Sequence, residues 1–378
     1  MFWRLLALLI GAGAALGSVP ARACSLAEDY LAPSNYELVQ IADAIVIASA
    51  GPRYRNSGGG PNVGDGGVVF RVLGNVKGAP PARVRLDDAT LGSVRRSDLT
   101  NLSDVHPDAS RGMCNRYTFA RGERYLLFLA RGDDGSWGQL DFPFSRVNED
   151  YAGEHSVWMR TVRRYLDLQR SLPPMEQIAA LRRMADSGRD RDGSLLRGTE
   201  RADIRAHLGW ISPWKPTAYL LDLNARIERG EPLPTPARTA GPAGERLLIL
   251  RSLAQGDHPE AMPLFERLSA APETNGRLRG IVLRYLTRNG RYAHAYAWIE
   301  THLLDELPLL PRDDAMALLA DVAEVQRGES WEAGEERWRS DPRAAATWPA
   351  LARRIHRYQV ATFGEEHALP FYDMAEVD

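Results

Sequence analysis

The chain is poor in lysine, in cysteine and in net charge. Only Lys77 and Lys215 are lysine among 47 basic residues, and 49 acidic residues leave a formal net charge of −2. A near-neutral chain has no electrostatic footprint for nucleic acid, so no nucleic-acid partner is expected. The arginine, alanine, glycine and proline bias that replaces lysine reflects a GC-rich genome rather than a function. Hydrophobic residues make up 44% of the 378 positions, which excludes low-complexity disorder over most of the length. That length exceeds what one core fills, and predicts two or more domains. Past the first twenty residues no apolar run is long enough to span a membrane, so no transmembrane segment is expected in the mature chain.

Catalytic signatures are missing as well. There is no GxSxG, no HExxH and no GxxxxGK[ST], and the eight histidines are scattered. The Gly-rich stretch from Asn56 to Gly67 reads as a hairpin loop rather than a phosphate cradle. His294 and His302 are too far apart for a two-ligand helix face. Glu365-Glu366-His367 reads as a solvated tail, and Arg163-Arg164, Arg182-Arg183 and Arg353-Arg354 as exposed helix faces. Catalytic residues, metal ligands and cofactors are therefore all read as none.

What is present begins with export. Arg4, the apolar run Leu5–Leu16 and the small-x-small pattern Ala21-Arg22-Ala23 form a signal peptide over residues 1–23. Cleavage after Ala23 makes Cys24 the first mature residue. A lipoprotein is disfavoured, because Ala21-Arg22-Ala23 lacks the usual leucine and carries an arginine before the cysteine. Periplasmic or extracellular localisation follows, and with it an oxidising compartment. Cys24 and Cys114 are the two cysteines, and one structural disulfide between them is the expected pairing. It would close a loop of about 90 residues, stabilising by roughly 4–5 kcal/mol on the chain-entropy account.

The hydrophobic period then changes near Tyr151. Before it, Ser34 is a plausible N-cap for a helix over Tyr36–Ile41. Short strands are predicted at Ala44–Ala48, Val68–Leu73, Ala82–Leu86, Tyr125–Leu129 and Trp137–Leu140, the last two joined by the Gly132–Gly135 turn. Five or six short strands around one core suggest a small barrel or sandwich. After Tyr151, helices are predicted over 157–170 and from Met175, then over 243–255, 259–269, 276–289, 291–304, 312–326 and 343–361. Asp186–Glu200 reads as a loop, and Pro232–Pro236 as a linker or crossover. Helices of this length joined by short turns suggest stacked helical hairpins, although an irregular bundle fits nearly as well and no strict repeat is visible. The fold class is thus α+β in two parts: a β-domain over 24–150 with a helix to about 170, then an α-helical domain over 171–378.

The N-terminal part resembles the netrin-like domains, specifically the tissue inhibitors of metalloproteinases. Cys24-Ser25 opens the mature chain. Ile41–Ala48 places an Ala-Asp pair before an apolar strand. Gly122–Leu129 carries a Gly-x-x-Tyr-Leu-Leu strand after Cys114, and Val76-Lys77-Gly78 closes another strand. The resemblance covers about residues 24–170 and implies an OB-like five-stranded barrel. It also implies that the Cys24 α-amine and carbonyl oxygen chelate a protease's catalytic zinc, with Ser25 entering the adjacent pocket. An α-amine keeps a neutral fraction near pH 7, and such a zinc has an open ligand position. The inhibitors begin Cys-x-Cys, whereas Leu26 stands third here, which weakens the transfer of function. The helical half has no counterpart in them.

Trp210-Ile211-Ser212-Pro213-Trp214 is the most unusual aromatic cluster. Its two readings are an interaction edge at Trp210 and Trp214 and simple packing around a proline turn. The function expected from the whole is an exported, non-catalytic protein-binding or scaffold protein whose partner is a protein, with a zinc metalloprotease as candidate. The alternatives are an envelope enzyme with an unidentified site and a purely structural envelope protein.

Overall fold

A computed structural model describes residues 30–54, 67–109, 117–234, 241–271, 276–291, 298–309 and 342–365, isolated positions aside, together with a few single residues between 310 and 341. Two compact units divide the chain. The first runs to Ser171 and includes Ser187–Ile204; the second comprises Leu172–Asp186 and the chain from Arg205 onward. The expected signal peptide and both cysteines lie outside the described residues.

The first unit opens with helix α1 (Asn35–Ile41). Ser34 caps it reciprocally: its hydroxyl accepts from the Glu37 N–H, and its own N–H donates to the Glu37 carboxylate at 2.8 Å. Strands β1 (Ala44–Tyr54), β2 (Gly67–Lys77), β3 (Arg83–Leu86), β6 (Arg124–Arg131) and β7 (Trp137–Gln139) line up in the order β3-β2-β1-β6-β7, with β8 (Asn148–Asp150) pairing on β6. Every pairing in this six-stranded sheet is antiparallel. Along β3, Val84 and Leu86 are buried and Arg83 and Arg85 exposed, so the alternation in the sequence is the alternation in space. Between β7 and β6, Gly135 adopts φ +79° and the turn closes as the sequence predicts.

The barrel expected from the sequence is not found. Strands β3 and β7, the two ends of the sheet path, come close, yet no ladder joins them among the described residues. The physical reason is their shortness. Four residues and three leave few N–H and C=O groups to close a ring, and β8 takes up part of the β6 edge. Beside the sheet, β4 (Ala89–Leu91) and β5 (Tyr117–Phe119) form a separate parallel pair.

The core of this unit holds a cluster of aromatic rings among aliphatic side chains. Phe70, Phe119 and Tyr125 meet edge to face, and Phe128 stacks on Trp158 at 5.8 Å. Trp158 belongs to α2 (Val157–Ser171), whose Tyr165 meets Tyr36 of α1 at 4.9 Å.

The second unit is helical: α3 (Pro174–Ser187), which begins in it, the end of α4 (Gly198–Gly209), α5 (Thr217–Glu228), α6 (Pro242–Gln255), α7 (Met262–Ala270), α8 (Gly276–Arg288) and α9 (Pro342–Phe363). Helix α5 packs on α6, α6 on α8 and α7 on α8. Phe265 and Tyr285 stack at 3.8 Å between the last two. Helix α4 begins inside the stretch read as a loop, and neither it nor α5 is expected from the sequence. The remainder of that stretch folds into a small turn joined by an Arg189–Leu195 bridge. Much of 291–304 and 312–326 lies outside the described residues, as do Thr235 and Pro236 at the end of the expected Pro232–Pro236 linker. No helix among the described residues is long and apolar enough to cross a membrane.

Candidate functional site

Among the described residues, one buried concentration of chemistry-bearing side chains stands out in each unit. In the first, Arg146 and Glu149 are wholly buried, 3.1 Å apart between Nη1 and Oε2. The guanidinium lies over the Trp158 ring at 5.6 Å and donates to the carbonyls of Asp98, Asn101, Leu102 and Asp104. Glu149 accepts the N–H of His106, Asp150 that of Ser97, and Asp108 that of Thr118. Nearby, Asp203 accepts from the Tyr165 hydroxyl at 2.6 Å and from the Asn35 amide at 2.7 Å. Burial pushes the Glu149 carboxyl up to about 7 against the opposing pull of Arg146, and the Asp203 carboxyl up to about 6. These charged groups are engaged by the backbone and side chains they hold. The arrangement wraps segment 97–108 around one arginine, which is a structural task.

The second concentration is the loop from Trp210 to Pro216, between α4 and α5. Helix α4 ends at Gly209, and the Trp210 N–H returns to the His207 carbonyl at 3.0 Å. The Lys215 ammonium donates to that same carbonyl at 2.7 Å and lies 3.1 and 3.0 Å from the two ring nitrogens of His207. Burial first, and the Lys215 charge second, hold the His207 imidazole well below its ordinary range. Tyr219 completes the wall, its hydroxyl on the Leu208 carbonyl and its ring 5.9 Å from the Lys215 Nζ. From the other side, His258 Nε2 reaches the Pro213 carbonyl at 3.0 Å. It passes over Gly256, where a Cβ would stand 2.5 Å from both groups. His258 Nδ1 lies 2.8 Å from the Thr217 hydroxyl, the first residue of α5, and Tyr285 donates to the His258 carbonyl at 2.7 Å.

This frame fixes what the loop presents. Ile211 and Ser212 are buried, Trp214 is half-buried, and Trp210 is 39% exposed. Trp210 and Trp214 are therefore the sequence-predicted site residues that the structure places on one loop. Cys24, Ser25 and Cys114 lie outside the described residues. His294 and His367 are likewise outside, and His302 lies 6.1 Å from the Trp298 ring. Among the described residues no group of three or more His, Cys, Asp or Glu side chains could hold a metal ion. Sequence reasoning missed Lys215, His207 and His258. The rarity of lysine was the available signal for the first; the histidines carried none.

The other residues quoted for the resemblance fall at two separate places along β1. Lys77 donates to the Val39 and Gln40 carbonyls at the end of α1. Gly78, at φ +67°, lies against the Asp43 carbonyl, and the Asp43 carboxylate accepts the Arg131 N–H. Gly122 and Glu123 bond to Ala50 of β1. Comparison of the chain with family models, with curated proteins and with solved structures gives no match.

Proposed function

We propose that this is an exported, non-catalytic protein-binding protein, with the Trp210–Trp214 loop as one contact surface and the mature N-terminus as a second. The observation that carries the reading is Trp210, a large aromatic left 39% exposed on a loop anchored by the Trp210 N–H, the Lys215 ammonium and His258. A rigid aromatic anchor binds at low entropic cost, since little order remains to be imposed on contact. The netrin-like resemblance supplies the second surface: an OB-like β-domain presenting Cys24 and Ser25 to the zinc of a metalloprotease.

One experiment addresses each surface. The mature chain is assayed against a panel of zinc metalloproteases, with and without one residue added before Cys24. Inhibition that the extension abolishes supports chelation, because the added residue turns the α-amine into an amide. No inhibition by either form removes the N-terminal role. A partner captured by the mature chain is then measured as a purified pair, and Trp210→Ala should weaken that affinity by about tenfold or more. Unchanged affinity would remove the tryptophan loop from the interface.

A further inference from the structure

The hydrogen-bond partners of His258 determine which of its ring nitrogens carries hydrogen. A carbonyl oxygen only accepts, so the contact from His258 Nε2 to the Pro213 carbonyl at 3.0 Å requires hydrogen on Nε2. A neutral imidazole carries one N–H, so Nδ1 is then bare. The Thr217 hydroxyl, 2.8 Å away, must donate to it. Thr217 has a single hydrogen, so the Glu260 carboxylate oxygen, 3.4 Å from the same hydroxyl, receives none in this state.

A second proton on the ring reverses that order. Nδ1–H becomes a donor to Thr217 Oγ1, and the threonine hydrogen is released toward Glu260. One proton enters from solvent, no covalent bond other than N–H is made, and a continuous chain from Nδ1 through Oγ1 to the carboxylate results. We propose that Thr217, His258 and Glu260 form a proton-driven latch, which ties the first turn of α5 to the Pro259–Ala261 turn when His258 is cationic and releases Glu260 when it is neutral.

The surroundings suit that role. Asp257 and Glu260, on the histidine's own turn, favour the cation; from the other elements come Thr217, the Pro213 carbonyl and the Tyr285 hydroxyl on the His258 carbonyl. Burial is the largest influence and acts against the cation, which sets the His258 midpoint below the ordinary histidine value of 6.5. Glu260 is exposed while His258 is buried, so the latch joins an interior ring to a surface carboxylate. The Pro213 bond survives in both states, so the tryptophan loop stays anchored while Glu260 is taken up or freed beside it.

The test is ¹⁵N detection of histidine ring nitrogens in the mature chain across pH 4.5–8, with His258 assigned by its loss in His258→Gln. The expected result is the Nε2–H form at pH 7.5 and a midpoint below 6.5. Glu260→Gln should lower that midpoint by about half a unit. The lowering should shrink in a Thr217→Val background and persist with Thr217→Ser. An Nδ1–H form at pH 7.5, or a Glu260→Gln shift of equal size with and without the Thr217 hydroxyl, would overturn the latch. Should Thr217→Val fail to fold, the tautomer and the Glu260→Gln shift decide, both having to be as stated.

Discussion

Arg146 and Glu149 face each other across 3.1 Å with both side chains fully withdrawn from solvent, and burial prevails over their attraction in setting the Glu149 titration. The Glu149 carboxyl is raised from 4.5 to about 7, and that of Asp203 from 3.8 to about 6. The folded first unit therefore holds protons that the unfolded chain has already released. The stability this contributes is complete below about pH 4 and is lost as pH rises through 6 and 7. The second unit has the opposite sign. His207 and His258 are both depressed, so their contribution is present above 6.5 and is lost as pH falls toward their folded values. Thermal unfolding between pH 5 and 8.5, followed by hydrogen exchange resolved by unit, should show the first unit weakening with rising pH and the second with falling pH. Glu149→Gln should flatten the first slope by an amount on the order of 1–3 kcal/mol over that range. A first unit whose stability is independent of pH from 5 to 8.5 would refute the assignment.

The two lysines do the same work in different places. Lys77 donates to Val39 and Gln40 at the end of α1, and Lys215 to His207 near the end of α4. A compact ammonium with three donors fits against helix-end carbonyls, where the negative end of the helix dipole favours a cation. A planar guanidinium needs more room. Lys215 is almost wholly buried and Lys77 only partly. Lys215→Arg should cost about 1–3 kcal/mol through overpacking, and Lys77→Arg under about 1 kcal/mol. Denaturant titrations of the two variants check the order; a larger loss at position 77 would contradict it.

How much of this could be read from the sequence varies with the physics of each element. The Ser34 cap, the alternation at Val84 and Leu86 and the Gly132–Gly135 turn are local, and each is visible in a few consecutive residues. β8 is Asn-Glu-Asp, three buried polar residues whose place depends on Arg146 and on the backbone N–H groups of Ser97 and His106. β4 and β5 are too short to show a period. Helix α4 buries little beyond Glu200, Ile204, His207 and Leu208, so it reads as polar chain. At the tryptophan loop the aromatics were legible, while the lysine and histidines that fix it come from different elements and meet only in space. Barrel closure depends on how the sheet's ends approach, which strand composition does not encode.

Cys24 and Cys114 remain the expected bridge. Tyr30 donates to the Pro143 carbonyl at 2.8 Å, and the next residue, Phe144, donates its N–H to Ala109. Tyr30 and Ala109, six residues after Cys24 and five before Cys114, are thus both fastened to the Pro143–Phe144 step. Peptide mapping of the exported protein without reductant should find one Cys24–Cys114 peptide pair. Cys114→Ser should then lower stability by roughly 2–5 kcal/mol. Two free thiols in protein taken from its own compartment would defeat the bridge.

Gly256 sits where the frame around the tryptophan loop is tightest. Its φ of −87° is open to any residue, so its requirement is spatial rather than conformational. An added Cβ would stand 2.5 Å from the Pro213 carbonyl oxygen and 2.5 Å from His258 Nε2, the two atoms whose hydrogen bond fastens the loop. Gly256→Ala must therefore part them, at a cost of about 1–3 kcal/mol for the overpacking and the lost bond. Once the ring turns away, the Pro213 carbonyl loses its donor and Trp210 its fixed support. Hydrogen exchange should rise at residues 210–216 while the sheet of the first unit is unchanged, and the affinity of any partner bound through Trp210 should fall in the same variant. If Gly256→Ala leaves both the exchange of that loop and the His258 titration untouched, the close approach of His258 to Pro213 is not what holds the loop.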